Sequence, residues 1–380
     1  MLVAWLTTGL RLLAAAQTPV PSVTVSFGVD TAVVDVGPIV RLVRAYLARP
    51  DTSAGSRGLW ASSNEWDRRH GDLHRQNTYQ GFPASIIGVM SAGPGDSLYL
   101  VKVLFAAADS ATRAVTPLAL QRLYAVRAPG TEYGWQLSNA LPRLTRAWVT
   151  RTEGRIRFYY APGQPENPLR RVRAARFVDS VARLFGVAPP ERLDYFVTAS
   201  PDEYFRALGL DFFPLPSGPG TATGGNALAR ESIVLAGDPA QGEAYLHEIT
   251  HVVLGGFSGG GPILGEGIAV WLGGSKGRSP REMYRLLAEW QRENPAVTLQ
   301  ALVSGEAGWG VRENDARYAT GALFVEAVYR RNGASGLRAL AGLPNETPAL
   351  LAAMRAHLGL SSTDAGALEH WWRQAARERS

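Results

Sequence analysis

Apolar positions along this chain follow two rhythms, and the change between them divides it. Residues 36–47 repeat apolar side chains three and four apart (Val36, Ile39, Val40, Val43, Leu47), the period of a helix with one buried face. A polar, loop-rich stretch follows at 48–80, and then come four strand-like runs at 85–90, 97–106, 118–126 and 133–137. Past Trp148 the pattern changes. A strand at 155–160 leads through a Pro/Gly-rich segment into a helix at 169–185, a strand at 193–198 and a glycine- and proline-rich loop at 213–225. A short buried strand at 232–235 precedes a long helical part, with helices predicted at 280–293, 315–331, 347–358 and 365–377. Strands and helices are largely segregated, so the fold class predicted is α+β. Two domains are expected, at 29–148 and 149–380, with the boundary near Trp148.

Chemistry is concentrated where the second sheet gives way to the helices. Asp238-Pro239-Ala240-Gln241 reads as a helix start, with a capping Asp, a Pro at the first helical position and a Gln completing a capping box. The helix is expected to run over 239–254 and to end at Gly255-Gly256. It carries His247-Glu248-Ile249-Thr250-His251. Two histidines four apart project from one helix face and can bind one metal ion, while Glu248 is placed to take a proton from a water on that ion. The chain has only six histidines, which makes this pentapeptide unlikely to be accidental, and its apolar neighbours Leu246, Ile249, Val252 and Val253 argue against a solvated surface helix.

A hydrolytic zinc site needs a third protein ligand. The metzincin pattern would place glycine at 254 and histidine at 257, where this chain has Leu254 and Phe257. The remaining candidate is Glu266, the sole acid in the apolar segment 261–272, which Pro262 opens and Gly273-Gly274 ends. A divalent cation would neutralise it there; an arginine partner is the alternative.

His-Glu-x-x-His followed by an apolar helix with Glu266-Gly267-x-Ala269 resembles the gluzincin metallopeptidases of the peptidase MA clan, and among them the bacterial peptidase-MA-like domains. The resemblance covers roughly residue 155 to the end and implies a thermolysin-like domain with a small sheet and a helical lobe. It implies His247, His251 and Glu266 as ligands of Zn2+ and Glu248 as the catalytic base. Fourteen residues separate His251 from Glu266, fewer than in thermolysin-like and aminopeptidase members. The segment from Tyr318 to Gly333 is similar to the helix that follows the zinc site in these domains, where a tyrosine often holds the oxyanion; this implies the same role for Tyr318, with a core tyrosine as the alternative. Asn226, Ala227 and the strand after them would form an edge on which a peptide substrate could lie. The expected function is therefore zinc-dependent hydrolysis of peptide bonds; a catalytically inactive peptidase-like domain that binds zinc or protein is the alternative. The first domain resembles the cone-shaped NTF2-like domains, a helix followed by a curved antiparallel sheet.

Composition narrows the setting. There are no cysteines among the 380 residues, which excludes disulfides, thiolate metal sites, a cysteine nucleophile and a lipoprotein anchor. The net charge is +6, but the arginines are scattered among acids. Their one cluster, Arg170, Arg171, Arg173 and Arg176, has helical spacing without interleaved aromatics, so no nucleic-acid partner is expected. His70 and His74 are also four apart but lie among arginines with no third ligand nearby, and are expected to be solvated. Residues 1–16 resemble an export signal ending in Ala-x-Ala, too short to span a bilayer once Arg11 interrupts it; a cytoplasmic amphipathic start is the alternative. The chain is thus expected to be secreted or periplasmic, without a stable membrane anchor.

Overall fold

The computed structural model describes residues 23–48, 57–74, 78–109, 111–112, 114–214, 224–255, 257, 259–361, 364 and 366–379. The expected export signal and most of the loop expected at 213–225 lie outside these residues. The chain is α+β and separates into two units, with a first change of unit between Trp148 and Val149. No described helix is long and apolar enough to cross a membrane.

The first unit is a helix on an antiparallel sheet. Strands β1 (Val23–Val25), β2 (Ala84–Ser91), β3 (Leu98–Ala108), β4 (Val115–Arg127) and β5 (Trp135–Ser138) lie side by side in chain order. Only the β1–β2 pair is parallel. Val101, Val103 and Phe105 alternate inward from β3, as a strand with one covered face requires. Helix α1 (Val36–Leu47) packs on β2 and β5 and buries Ile39, Leu42 and Val43.

His70 and His74 are buried here, not solvated as their arginine-rich surroundings suggested. His74 makes contacts of 2.9 Å with the Tyr79 hydroxyl and 3.0 Å with the Leu208 carbonyl, and the His70 ring lies against Trp66 with centroids 4.9 Å apart. Nearby, Asp67 accepts from Ser138 Oγ and from both nitrogens of Asn139, while Tyr46 donates to Asp72. Leu208, Ser138 and Asn139 come from segments distant in sequence, which local sequence does not reveal.

The second unit opens with β6 (Val149–Glu153), β7 (Ile156–Tyr160), helix α2 (Pro168–Phe185) and β8 (Leu193–Val197). Asn167 caps α2 by accepting from the Arg170 amide at 3.1 Å. Two arginines of the cluster on α2 have local partners. Arg171 donates to Glu166 and to Tyr160 Oη, and Arg170 to the Pro239 carbonyl. The chain then departs from the single crossing at Trp148 expected from its rhythm: Asp202–Pro216 belongs to the first unit, where β9 (Leu210–Phe212) pairs with β4.

Back in the second unit, β10 (Gly225–Leu228) and β11 (Ile233–Ala236) complete a mixed sheet in the order β10-β11-β8-β7-β6. Strands β7, β8 and β11 run parallel and are almost wholly buried, while β10 and β6 join antiparallel at the two edges. Helices α3 (Leu246–Val253), α4 (Gly261–Gly273), α5 (Pro280–Glu293), α6 (Val311–Ala339), α7 (Thr347–His357) and α8 (Ala367–Arg379) follow. Helix α5 opens with a complete capping box between Ser279 and Glu282, and α6 is broken at Gly333, where φ is 59°.

Candidate metal centre

The histidine helix is shorter than its sequence suggested. It begins at Leu246, not Pro239, because Tyr195 of β8 intervenes. Its hydroxyl donates to the Gly242 carbonyl at 2.6 Å and accepts from the Tyr245 amide at 3.0 Å, taking up groups that a continuous helix would pair internally. Gly242 has φ of +50° and Tyr245 a non-helical ψ of 79°. Asp238 still caps, but it caps a turn: Oδ1 accepts from the Ala240 amide at 2.9 Å.

Helix α3 presents His247 and His251 on one face, and α4 brings Glu266 to them. His247 Nε2 lies 3.2 Å from His251 Nε2 and 3.2 Å from Glu266 Oε2, and His251 Nε2 lies 3.5 Å from the same oxygen. Among the described residues these three form the one group of histidine and carboxylate side chains able to hold a metal ion. Ligand atoms about 2.0–2.1 Å from a zinc ion in a tetrahedral array stand about 3.3 Å apart, so the separations fit the ion. The donor set fits as well, with two imidazoles and one carboxylate. Among the described residues Glu266 has no arginine partner.

His247 is oriented from behind. Its Nδ1 is 2.7 Å from the Gly274 carbonyl. A carbonyl only accepts, so Nδ1 carries the proton and the Nε2 lone pair is turned to Glu266 and His251. Close backbone contact makes this possible: a Cβ on Gly273 would fall 2.5 Å from the His247 nitrogen.

Burial and charge act in opposite directions here. Burial alone would lower the His247 pKa, but the hydrogen bond that the protonated ring donates from Nε2 to Glu266, and the charges of Glu248 and Glu266, leave it raised. Burial would raise that of Glu266, yet the two imidazoles hold it well below the usual carboxylate range. Glu248 is 6 % exposed, and its carboxylate has no hydrogen-bond partner among the described residues. Tyr318 sits on α6, also 6 % exposed. Burial, then the charge of Glu266, pushes its phenol well above its ordinary pKa, with Asp315 and Glu248 adding to the effect.

All five residues expected at the site, His247, Glu248, His251, Glu266 and Tyr318, therefore come from α3, α4 and α6 of the second unit. Two glycines allow α4 and α6 to meet: a Cβ on Gly267 would lie 2.4 Å from the Gly321 carbonyl carbon. Sequence reasoning missed the Gly274 carbonyl, because a backbone group carries no residue identity. It also missed Asp315, which takes Lys276 Nζ at 2.9 Å and Arg278 Nη1 at 3.0 Å. Its position one turn before Tyr318 was the available signal. Strand β10 lies against α3 and ends the sheet, so its outer edge has no strand partner among the described residues.

Neither a protein-family model nor a curated protein matches the chain, and the functional reading rests on the residues themselves.

Proposed function

We propose that the chain is a zinc-dependent peptidase of the kind its His-Glu-x-x-His and Glu-Gly-x-Ala segments resemble, the gluzincins. His247 and His251 would hold the ion through Nε2 and Glu266 through its carboxylate. The observation that carries this is the convergence of three ligand atoms at 3.2, 3.2 and 3.5 Å. Zinc in such a site lowers the pKa of a bound water towards neutrality and polarises a substrate carbonyl. Glu248, whose carboxylate has no hydrogen-bond partner among the described residues, would take the proton as water attacks and pass it to the leaving amine. The Tyr318 phenol, kept protonated by burial and neighbouring carboxylates, donates to the developing oxyanion. An extended peptide can pair with the outer edge of β10, which supports a peptide substrate bound by strand addition. A secreted or periplasmic setting rests on the signal-like residues 1–16.

The test is zinc content and hydrolysis of internally quenched peptides, with and without chelator. Glu248→Gln is expected to keep zinc and to lose turnover by about 10²–10⁴-fold, the usual contribution of a general base. His247→Ala is expected to lose both metal and activity. Wild-type rates in the glutamine variant would remove Glu248 from the mechanism. A chain that binds zinc but cleaves no peptide would be the binding domain without turnover.

A further inference from the structure

We propose that Asp315 is a positioning residue for the metal centre, acting through the turn at 274–278 on the imidazole of His247. The inference rests on the reading of His247, His251 and Glu266 as zinc ligands and deepens it.

The argument starts at the Gly274 carbonyl, which fixes the His247 ring from behind. Outer partners of this kind set the tautomer and direction of a ligating imidazole. Gly274 has φ of +73° and ψ of −166°, and a Cβ there would fall 2.0 Å from the Arg278 carbonyl oxygen. The carbonyl that orients His247 thus belongs to a position that, in this conformation, only glycine can occupy.

The chain reverses immediately afterwards. Ser275 and Arg278 exchange backbone hydrogen bonds of 3.0 and 2.9 Å. The two residues between them both have positive φ, +52° at Lys276 and +76° at Gly277. Glycine adopts that conformation freely, but a lysine does so at a cost. The side chains of this turn show what holds it. Lys276 Nζ meets Asp315 Oδ1 at 2.9 Å and Arg278 Nη1 meets Oδ2 at 3.0 Å, so each oxygen of one carboxylate takes a cation from either side of the reversal. The Lys276 and Asp315 side chains are each 11 % exposed, which weakens competition from solvent.

Asp315 thereby clamps the turn to α6. Releasing it frees the reversal to relax away from its positive-φ lysine, and the Gly274 carbonyl moves with it. His247 would then lose the contact that aims Nε2 at the ion. Asp315 is also three residues before Tyr318 on the same helix, so the clamp joins the ligand helix to the helix that carries the phenol.

A stabilising ion pair alone would not act on the metal, and the test separates the two roles. Zinc affinity is measured by competition with a chromophoric chelator for the wild type, Asp315→Asn, Lys276→Met and Asp211→Asn. Asp211, in the first unit, is the matched control, since it also takes one arginine and one lysine, Arg122 Nε at 2.7 Å and Lys102 Nζ at 3.3 Å. Asp315→Asn is expected to bind zinc about 10–100-fold more weakly, the usual cost of losing an outer-shell partner. Lys276→Met keeps the arginine arm and is expected to lose less; it carries the test if the asparagine variant does not fold. Asp211→Asn is expected to match the wild type. Wild-type affinity in both Asp315→Asn and Lys276→Met, or an equal loss in Asp211→Asn, overturns the proposal. A wild-type chain that takes up no zinc removes the metal reading and the clamp together. A wild type that binds zinc without cleaving peptides removes the peptidase reading alone, and the affinities still decide the clamp.

Discussion

The imidazole of His74 lies between the Leu208 carbonyl, 3.0 Å from Nε2, and the Tyr79 hydroxyl, 2.9 Å from Nδ1. The carbonyl can only accept, so Nε2 carries the proton and Nδ1 accepts from Tyr79. Burial lowers the pKa to about 4, against a smaller raising effect from Leu208. A folded-state pKa below the unfolded value means that the neutral form stabilises the fold. That contribution is complete above about pH 6.5 and is lost as pH falls through about 4. A shift of this size corresponds to about 3 kcal/mol in full, of which about 2 kcal/mol is gone by pH 5. Urea unfolding at pH 7.5 and pH 5 should therefore show a larger loss for the wild type than for His74→Gln; equal losses would remove His74 as the cause. The residue also shows where sequence reading stops. The approach of Glu266 to the two histidines was legible because an acid inside an apolar segment calls for a neutralising partner, whatever the fold. His74 was not, because its carbonyl partner is 134 residues away.

Elements were legible where their rhythm is local. The helix at 280–293 begins and ends as its periodicity predicts, and the long strands β3 and β4 extend beyond their predicted ends by two or three residues at most. The start of α3 was misplaced because the hydroxyl that ends its helical pairing comes from Tyr195, on a strand distant in sequence. The crossing of α4 and α6 belongs to the same class. Gly267 and Gly321 face each other so closely that a Cβ on Gly321 would lie 2.2 Å from the Ile263 carbonyl oxygen, and one on Gly267 2.4 Å from the Gly321 backbone. Neither side of this contact is a flexible side chain, so an added methyl must move a helix axis. Gly267→Ala is expected to cost about 1–3 kcal/mol, the range for overpacking, although alanine is the better helix former by about 1 kcal/mol in isolation. Urea denaturation of the zinc-free protein checks the sign: a more stable variant would show that the two helices part without penalty.

For the whole molecule, the position of the three proposed ligands within the chain determines which part of the fold should respond to added zinc. His247, His251 and Glu266, the turn that orients His247 and the helix bearing Tyr318 all belong to the second unit, whereas β2, β3 and β4 supply nothing to the site. An ion that binds only the native arrangement stabilises it by RT ln(1 + [L]/Kd), about 2.7 kcal/mol at a hundredfold excess over Kd. Amide hydrogen exchange, compared with and without zinc, reads where that free energy acts, because protection follows the opening of local segments. Slower exchange is expected in α3, α4 and the first half of α6, by up to about 100-fold where opening exposes the ligands, and unchanged exchange in β2, β3 and β4. His251→Ala should abolish the difference while leaving the zinc-free pattern of the first unit as it was. Protection that rises equally in both units, or that survives the alanine substitution, would mean the ion binds somewhere other than these three side chains.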